Sequence, residues 1–82
     1  MNTQLKPVVT EKAVMMIESQ NVLTFTAGKE SSKDDIKKEV ESLFGVKVER
    51  VRTMIRDNKK HAYVKLKKEF PAIDIATKLG LM

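Results

Sequence analysis

The chain has no cysteine, which excludes disulfides, thiolate chemistry and zinc-finger ligands. Its one histidine, His61, rules out a multi-histidine metal centre within a single chain. No apolar run approaches the ~20 residues needed to span a bilayer, so no membrane insertion is expected. The opening M-N-T-Q-L-K-P lacks the apolar centre of a secretory signal, and the expected location is the cytoplasm. There is no internal repeat, low-complexity tract or linker. Carboxylates and lysines do not gather as a catalytic set would. Neither an enzyme nor a cofactor is expected.

What is present is positive charge. The 82 residues suffice for a single small domain, residues 1–82, with a modest core. A formal net charge of +5 and a pI near 9.6 favour an acidic partner: nucleic acid, an anionic membrane surface or an acidic protein.

Read in order, Met1 to Lys6 is polar apart from Leu5, and Pro7 holds the backbone extended, as a frayed tail or a short edge strand. Thr10 suits a helix N-cap, with Val9 and Val14 at the hydrophobic-staple positions around it. Ala13, Val14 and Ile17 mark one face of a short helix over Glu11–Ser19, with Glu11 favoured in the first turn by the helix dipole. Met15 and Met16 cannot both lie on a narrow buried stripe; such methionines are either loose core packing or a soft docking surface. Gln20-Asn21 breaks the helix, and Val22–Ala27 reads as a strand burying Leu23 and Phe25. After the Gly28–Ser31 loop, Ser31 or Ser32 caps the next helix, with Asp34 or Asp35 in the acidic slot of a capping box. Ile36, Val40, Leu43 and Phe44 form its apolar stripe. Asp34–Lys38 and Lys37–Glu41 are spaced as i,i+4 pairs, and Gly45 suits the left-handed residue past the end. Near the end of the chain, Pro71 suits the first position of a last helix striped by Ala72, Ile75, Ala76 and Leu79, with Gly80 past its end.

The most informative stretch runs from Val46 to Leu66. Two β-branched runs flank Asp57-Asn58-Lys59, a hairpin signal. Val51, Thr53 and Ile55 share one face of the first run; Arg50, Arg52, Met54 and Arg56 share the other. In the second run Ala62, Val64 and Leu66 oppose His61, Tyr63, Lys65 and Lys67. The apolar sets meet only if paired residue numbers sum to an odd number, and a two-residue Asn58-Lys59 turn satisfies this. That register pairs Ile55 with Ala62, Thr53 with Val64 and Val51 with Leu66, and sets Arg56 against His61, Met54 against Tyr63 and Arg52 against Lys65. Like charges placed opposite each other destabilise a sheet, so five or six cations around one tyrosine predict a polyanionic partner. Val46 and Val48 are apolar at even positions, so the parity changes near Glu49-Arg50: either a bulge lies there or the strand starts after Val48.

The order helix, strand, helix, strand, strand, helix predicts an α+β fold, a small two- or three-layer sandwich. Its sheet has three or four mostly antiparallel strands in split β-α-β (ferredoxin-like) topology, with His61–Leu66 in the middle, antiparallel to both neighbours.

These residues resemble the family of large-subunit ribosomal protein twenty-three. The similarity runs from V-V-T-E-K at Val8–Lys12 through N-V-L-T-F at Asn21–Phe25 and S-K-D-D-I-K-K-E-V-E-S-L-F-G-V-K-V at Ser32–Val48. It continues into R-T at Arg52-Thr53 and K-K-H-A-Y-V-K-L at Lys59–Leu66. The resemblance implies a non-catalytic structural component that binds large-subunit rRNA beside the exit of the polypeptide tunnel. It also implies contact with ribosomal protein twenty-nine and a share in the docking platform for exit-site factors. Bacterial members carry a long hairpin extension into the tunnel; the short loop here resembles the archaeal form, for which signal recognition particle is the expected visitor. The candidate rRNA contacts are Lys12, Lys33, Lys37, Arg50, Arg52, Arg56, Lys59, Lys60, His61, Tyr63 and Lys65. Glu11, in the family's T-E-K motif, is the candidate docking residue together with Met15 and Met16. Rival readings are a solvated basic face, a stand-alone RNA-binding module and a protein-docking adaptor. An RNA recognition motif needs stacked aromatics on its central strands, and this sheet offers Tyr63 alone.

Overall fold

The computed structural model describes residues 5–80; the first four residues of the polar Met1–Lys6 stretch lie outside them. The elements are β1 (Lys6–Pro7), α1 (Glu11–Gln20), β2 (Val22–Ala27), α2 (Lys33–Phe44), β3 (Val48–Arg56), β4 (Lys59–Leu66) and α3 (Ala72–Lys78). The strands form one sheet in the order β1-β2-β4-β3, every neighbouring pair antiparallel. β4 thus inserts between the strands that α2 connects, which is the split β-α-β arrangement of an α+β, ferredoxin-like fold. Of the two readings of the start of the chain, β1 is the short edge strand, pairing Lys6 with Thr26 and Pro7 with Phe25.

Local chemistry sets the helix ends. The Thr10 hydroxyl accepts from the Ala13 N–H at 3.1 Å, capping α1 as its spacing predicts. Ser32 and Asp35 close a full capping box on α2. Gly45 ends that helix at φ 63°, a left-handed conformation that glycine adopts without a Cβ penalty. Val9, placed in a staple, is instead 60% exposed. Pro71 is the N-cap of α3 and has no side-chain acceptor. The missing cap comes from Asn21, whose Oδ1 accepts from the Ala72 N–H. Its Nδ2 donates to the carbonyls of Leu66, Lys67 and Phe70 at 3.1, 3.3 and 3.2 Å. Asn21 itself is left-handed, at φ 57°. One residue therefore ends α1, fixes the exit of β4 and starts α3.

The core lies on one face of the sheet. Leu23 and Phe25 of β2, Ala62, Val64 and Leu66 of β4, and Val48 of β3 pack with Ile36 and Val40 of α2 and with Ala72, Ile75 and Ala76 of α3. The Phe44 ring stacks on Phe25, centroids 6.2 Å apart at 19°. Ile17 brings α1 into the same cluster. Leu43, counted in the α2 stripe, is 60% exposed. The row that meets the sheet is Ile36–Val40–Phe44, spaced i, i+4, i+8, and Leu43 falls outside it. Glu41 is not left to a helix-surface pair with Lys37: its carboxylate accepts from the Val48 N–H at 2.9 Å, tying the end of α2 to the start of β3.

The hairpin corrects the predicted register. The turn residues are Asp57 and Asn58, at φ 53° and 63°, so Arg56 pairs with Lys59. A two-residue hairpin whose twist suits the strands needs positive φ at both central positions. Asp and Asn tolerate that conformation, whereas the predicted turn would have forced Lys59 into it. Every pair shifts by two residues, which preserves the faces and changes the partners: Thr53 meets Ala62, Val51 meets Val64 and Ile55 meets Lys60. Ile55, expected against Ala62, is 65% exposed near the hairpin tip. The parity change resolves as a bulge, the register slipping between Val48 and Arg50.

Candidate nucleic-acid interface

The corrected register builds the outer face of the sheet row by row. Thr24, Tyr63 and Arg52 lie side by side across β2, β4 and β3; Val22, Lys65 and Arg50 form the row on one side, and Thr26, His61 and Met54 the row on the other. Arg56 and Lys59 close the face at the turn. None of these positions holds an acid. The acids that flank it along the chain are Glu49, at the bulge before Arg50, and Asp57, in the turn after Arg56, both exposed. The expected facing pair Arg52–Lys65 is replaced by Arg52–Tyr63. Like charges still oppose one another at Arg50–Lys65 and Arg56–Lys59, and such pairs weaken a sheet unless an anion neutralises them.

Helix α1 borders this face. A groove of about 380 Å³ runs between them, with Lys12 and Met16 of α1 on one side and Val22, Arg52, Met54 and Tyr63 of the sheet on the other. An adjoining recess of about 160 Å³ shares Lys12, Met16, Met54 and Tyr63 and is also lined by Thr24, Arg56 and His61. The Thr24 Oγ1 is buried without a hydrogen-bond partner among the described residues.

The predicted contact residues separate into two groups. Arg50, Arg52, Arg56, Lys59, His61, Tyr63 and Lys65 share the outer face, and Lys12 reaches it from α1. Lys33 and Lys37 are exposed on α2, the helix that packs on the opposite, core face. Lys60 is also turned away: alternation points it to the core side, where its Nζ donates to the Ser31 carbonyl at 2.5 Å. The methionines part as well. Met15 is 66% exposed, one helical turn from exposed Glu11, whereas Met16 lines the groove. Sequence reading missed Thr24 as a member of this face. Its signal was the alternation in Val22–Ala27, which sets Val22, Thr24 and Thr26 opposite Leu23 and Phe25.

Among the described residues, no cluster of His, Asp and Glu could hold a metal ion, and no helix is long and apolar enough to cross a membrane. A family model described as ribosomal protein L23 matches residues 2–74 of the chain.

Proposed function

The chain belongs to the ribosomal protein L23 family, whose members are structural, non-enzymatic proteins of the large ribosomal subunit, and from that premise we propose that it binds large-subunit rRNA through the outer face of its sheet. The proposed position is beside the exit of the polypeptide tunnel, in cytoplasmic ribosomes, with ribosomal protein twenty-nine as neighbour. Residues 1–82 act as one rRNA-binding domain. The observation that carries the reading is the row Thr24–Tyr63–Arg52 with its flanking rows, a face of cations around one aromatic with no acid on it. Lys33 and Lys37 contact rRNA only if it also wraps around α2, and Lys60 is held by Ser31. The exposed strip of Glu11 and Met15 serves a protein partner, because a carboxylate beside phosphates is repelled. The hairpin turns within Asp57–Asn58, which suits the short archaeal-type form and signal recognition particle as visitor.

Phosphate contacts release condensed counterions, so affinity for rRNA fragments is expected to fall steeply with salt. For about four to eight engaged cations at roughly −0.7 to −0.9 per contact, the log–log slope is on the order of −3 to −7. A slope near zero would leave the face merely solvated. Arg52→Glu should reduce that slope by about 1 or more and weaken incorporation into the large subunit. Glu11→Ala should leave incorporation intact and weaken recruitment of signal recognition particle. Pelleting of ribosomes scored for both proteins reads the two effects, and the reverse pattern would show the domain to be turned the other way round.

A further inference from the structure

We propose that the groove between α1 and the outer face is a receptor for a single unpaired nucleotide of the bound RNA, its base inserted against Tyr63 and its phosphates held by Arg52 and Lys12. This rests on the reading of the outer face as an RNA surface and adds to it a particular RNA feature. Contact with a regular duplex would need only the exposed cations. An A-form helix displays phosphates and a shallow minor groove, and its bases stay stacked; recognition of individual bases works on loops and bulges, where a splayed base can stack on an aromatic ring.

The groove has the chemistry for such a base. Its volume, about 380 Å³, falls at the low end of the ~300–1,000 Å³ typical of small-ligand sites. That suits one nucleotide. Tyr63 offers a ring, and Met16 and Met54 offer polarizable, adaptable walls. The adjoining recess is lined by Thr24, only 8% exposed, whose Oγ1 has no partner among the described residues. A buried hydroxyl left unpaired is costly. A nucleobase edge carries both donors and acceptors and would satisfy it if its entry parted the side chains that cover the hydroxyl. Cations occur in the lining of both hollows, Lys12 in each and Arg52 in the larger, where the phosphates of an inserted nucleotide would lie. An acidic peptide would use the same cations but would leave the ring and the thioethers without a planar partner.

The test compares two RNA hairpins of equal length, one fully paired and one with a single bulged adenosine, by fluorescence anisotropy at fixed ionic strength. The full chain is expected to prefer the bulged hairpin by about five- to 100-fold, the effect of one base–aromatic stack. Tyr63→Leu should abolish the preference while keeping the salt-dependent affinity for the paired hairpin, and Tyr63→Phe should retain it. Thr24→Val keeps the shape and removes the unpaired hydroxyl, so it should melt higher than the parent while losing part of the preference. Equal binding of both hairpins with a steep salt slope would overturn the receptor and leave the RNA face standing. Failure of both hairpins to bind at low salt would overturn the RNA face and the receptor together. Free adenosine monophosphate displacing the bulged hairpin at micromolar concentration would assign the groove to a soluble nucleotide instead, and overturn the proposal.

Discussion

Replacing Phe25 by alanine is expected to cost about 3–5 kcal/mol, the range for emptying a buried phenylalanine site. Phe25 is 2% exposed; its ring stacks on Phe44, and Ala62 is its neighbour across the sheet on β4. Ala62 cannot grow into the space, and Ile36 and Val40, both fully buried, are fixed by the packing of α2. The hole therefore stays. A small domain is stable by only about 5–15 kcal/mol, so thermal unfolding followed by circular dichroism should drop by on the order of 20 °C. Two companions test the orientation of α2. Phe44 is only partly buried, and Phe44→Ala should cost less, about 1–3 kcal/mol. Leu43→Ala, on the exposed side, should stay within about 0.5 kcal/mol. If Leu43 costs more than Phe44, the helix presents a different row to the sheet.

Asn21→Ala is expected to be nearly as damaging, at about 2–4 kcal/mol. The substitution removes the donors to Leu66, Lys67 and Phe70 and the acceptor for the Ala72 N–H, each worth about 0.5–1.5 kcal/mol net. It also puts alanine, in place of an asparagine that tolerates the left-handed region, at φ 57°, a conformation costing ordinary residues roughly 1–2 kcal/mol. Asn21→Gly relieves the backbone and should recover about 1 kcal/mol relative to alanine. Asn21→Asp separates the two roles: it keeps an acceptor for Ala72 but turns a carboxylate toward three carbonyl oxygens. Aspartate should therefore be worse than glycine in urea melts, although it has the shape of asparagine. Equal stability of aspartate and asparagine would mean that only the helix cap matters.

Much of the fold was legible because short-range signals carried it. Ser32–Asp35, Gly45 and the alternation in Val22–Ala27 each determine a local conformation, and the parity rule assigned the hairpin faces correctly. Register was not legible from parity, since two turns of equal length differ by two residues and preserve the faces. The tolerance of Asp57 and Asn58 for positive φ decided between them. Leu43 and Ile55 are apolar at core-facing spacing, yet the helix row and the reach of the sheet leave them outside. Asn21 read as a helix breaker because all of its side-chain partners lie 45–51 residues away. For the interface, alternation brought the hairpin cations together and also sets Lys60 on the face of Ala62 and Val64, away from them. The contribution of α1 depends on packing between elements and has no trace in local sequence.

The bonds of Asn21 also bear on when the chain can fold as it is made. β2 has no stable partner among the residues that precede it beyond the two of β1; its long neighbour is β4, made some 40 residues later. Closing that distance costs loop entropy before any contact returns it, and topologies rich in such pairings fold slowly. α2 and β3 must therefore emerge and wait with their apolar faces uncovered. Only when residue 72 offers its amide to Asn21 can the last helix seal the core, so this fold is committed to closing after β4 and the start of α3 have been made.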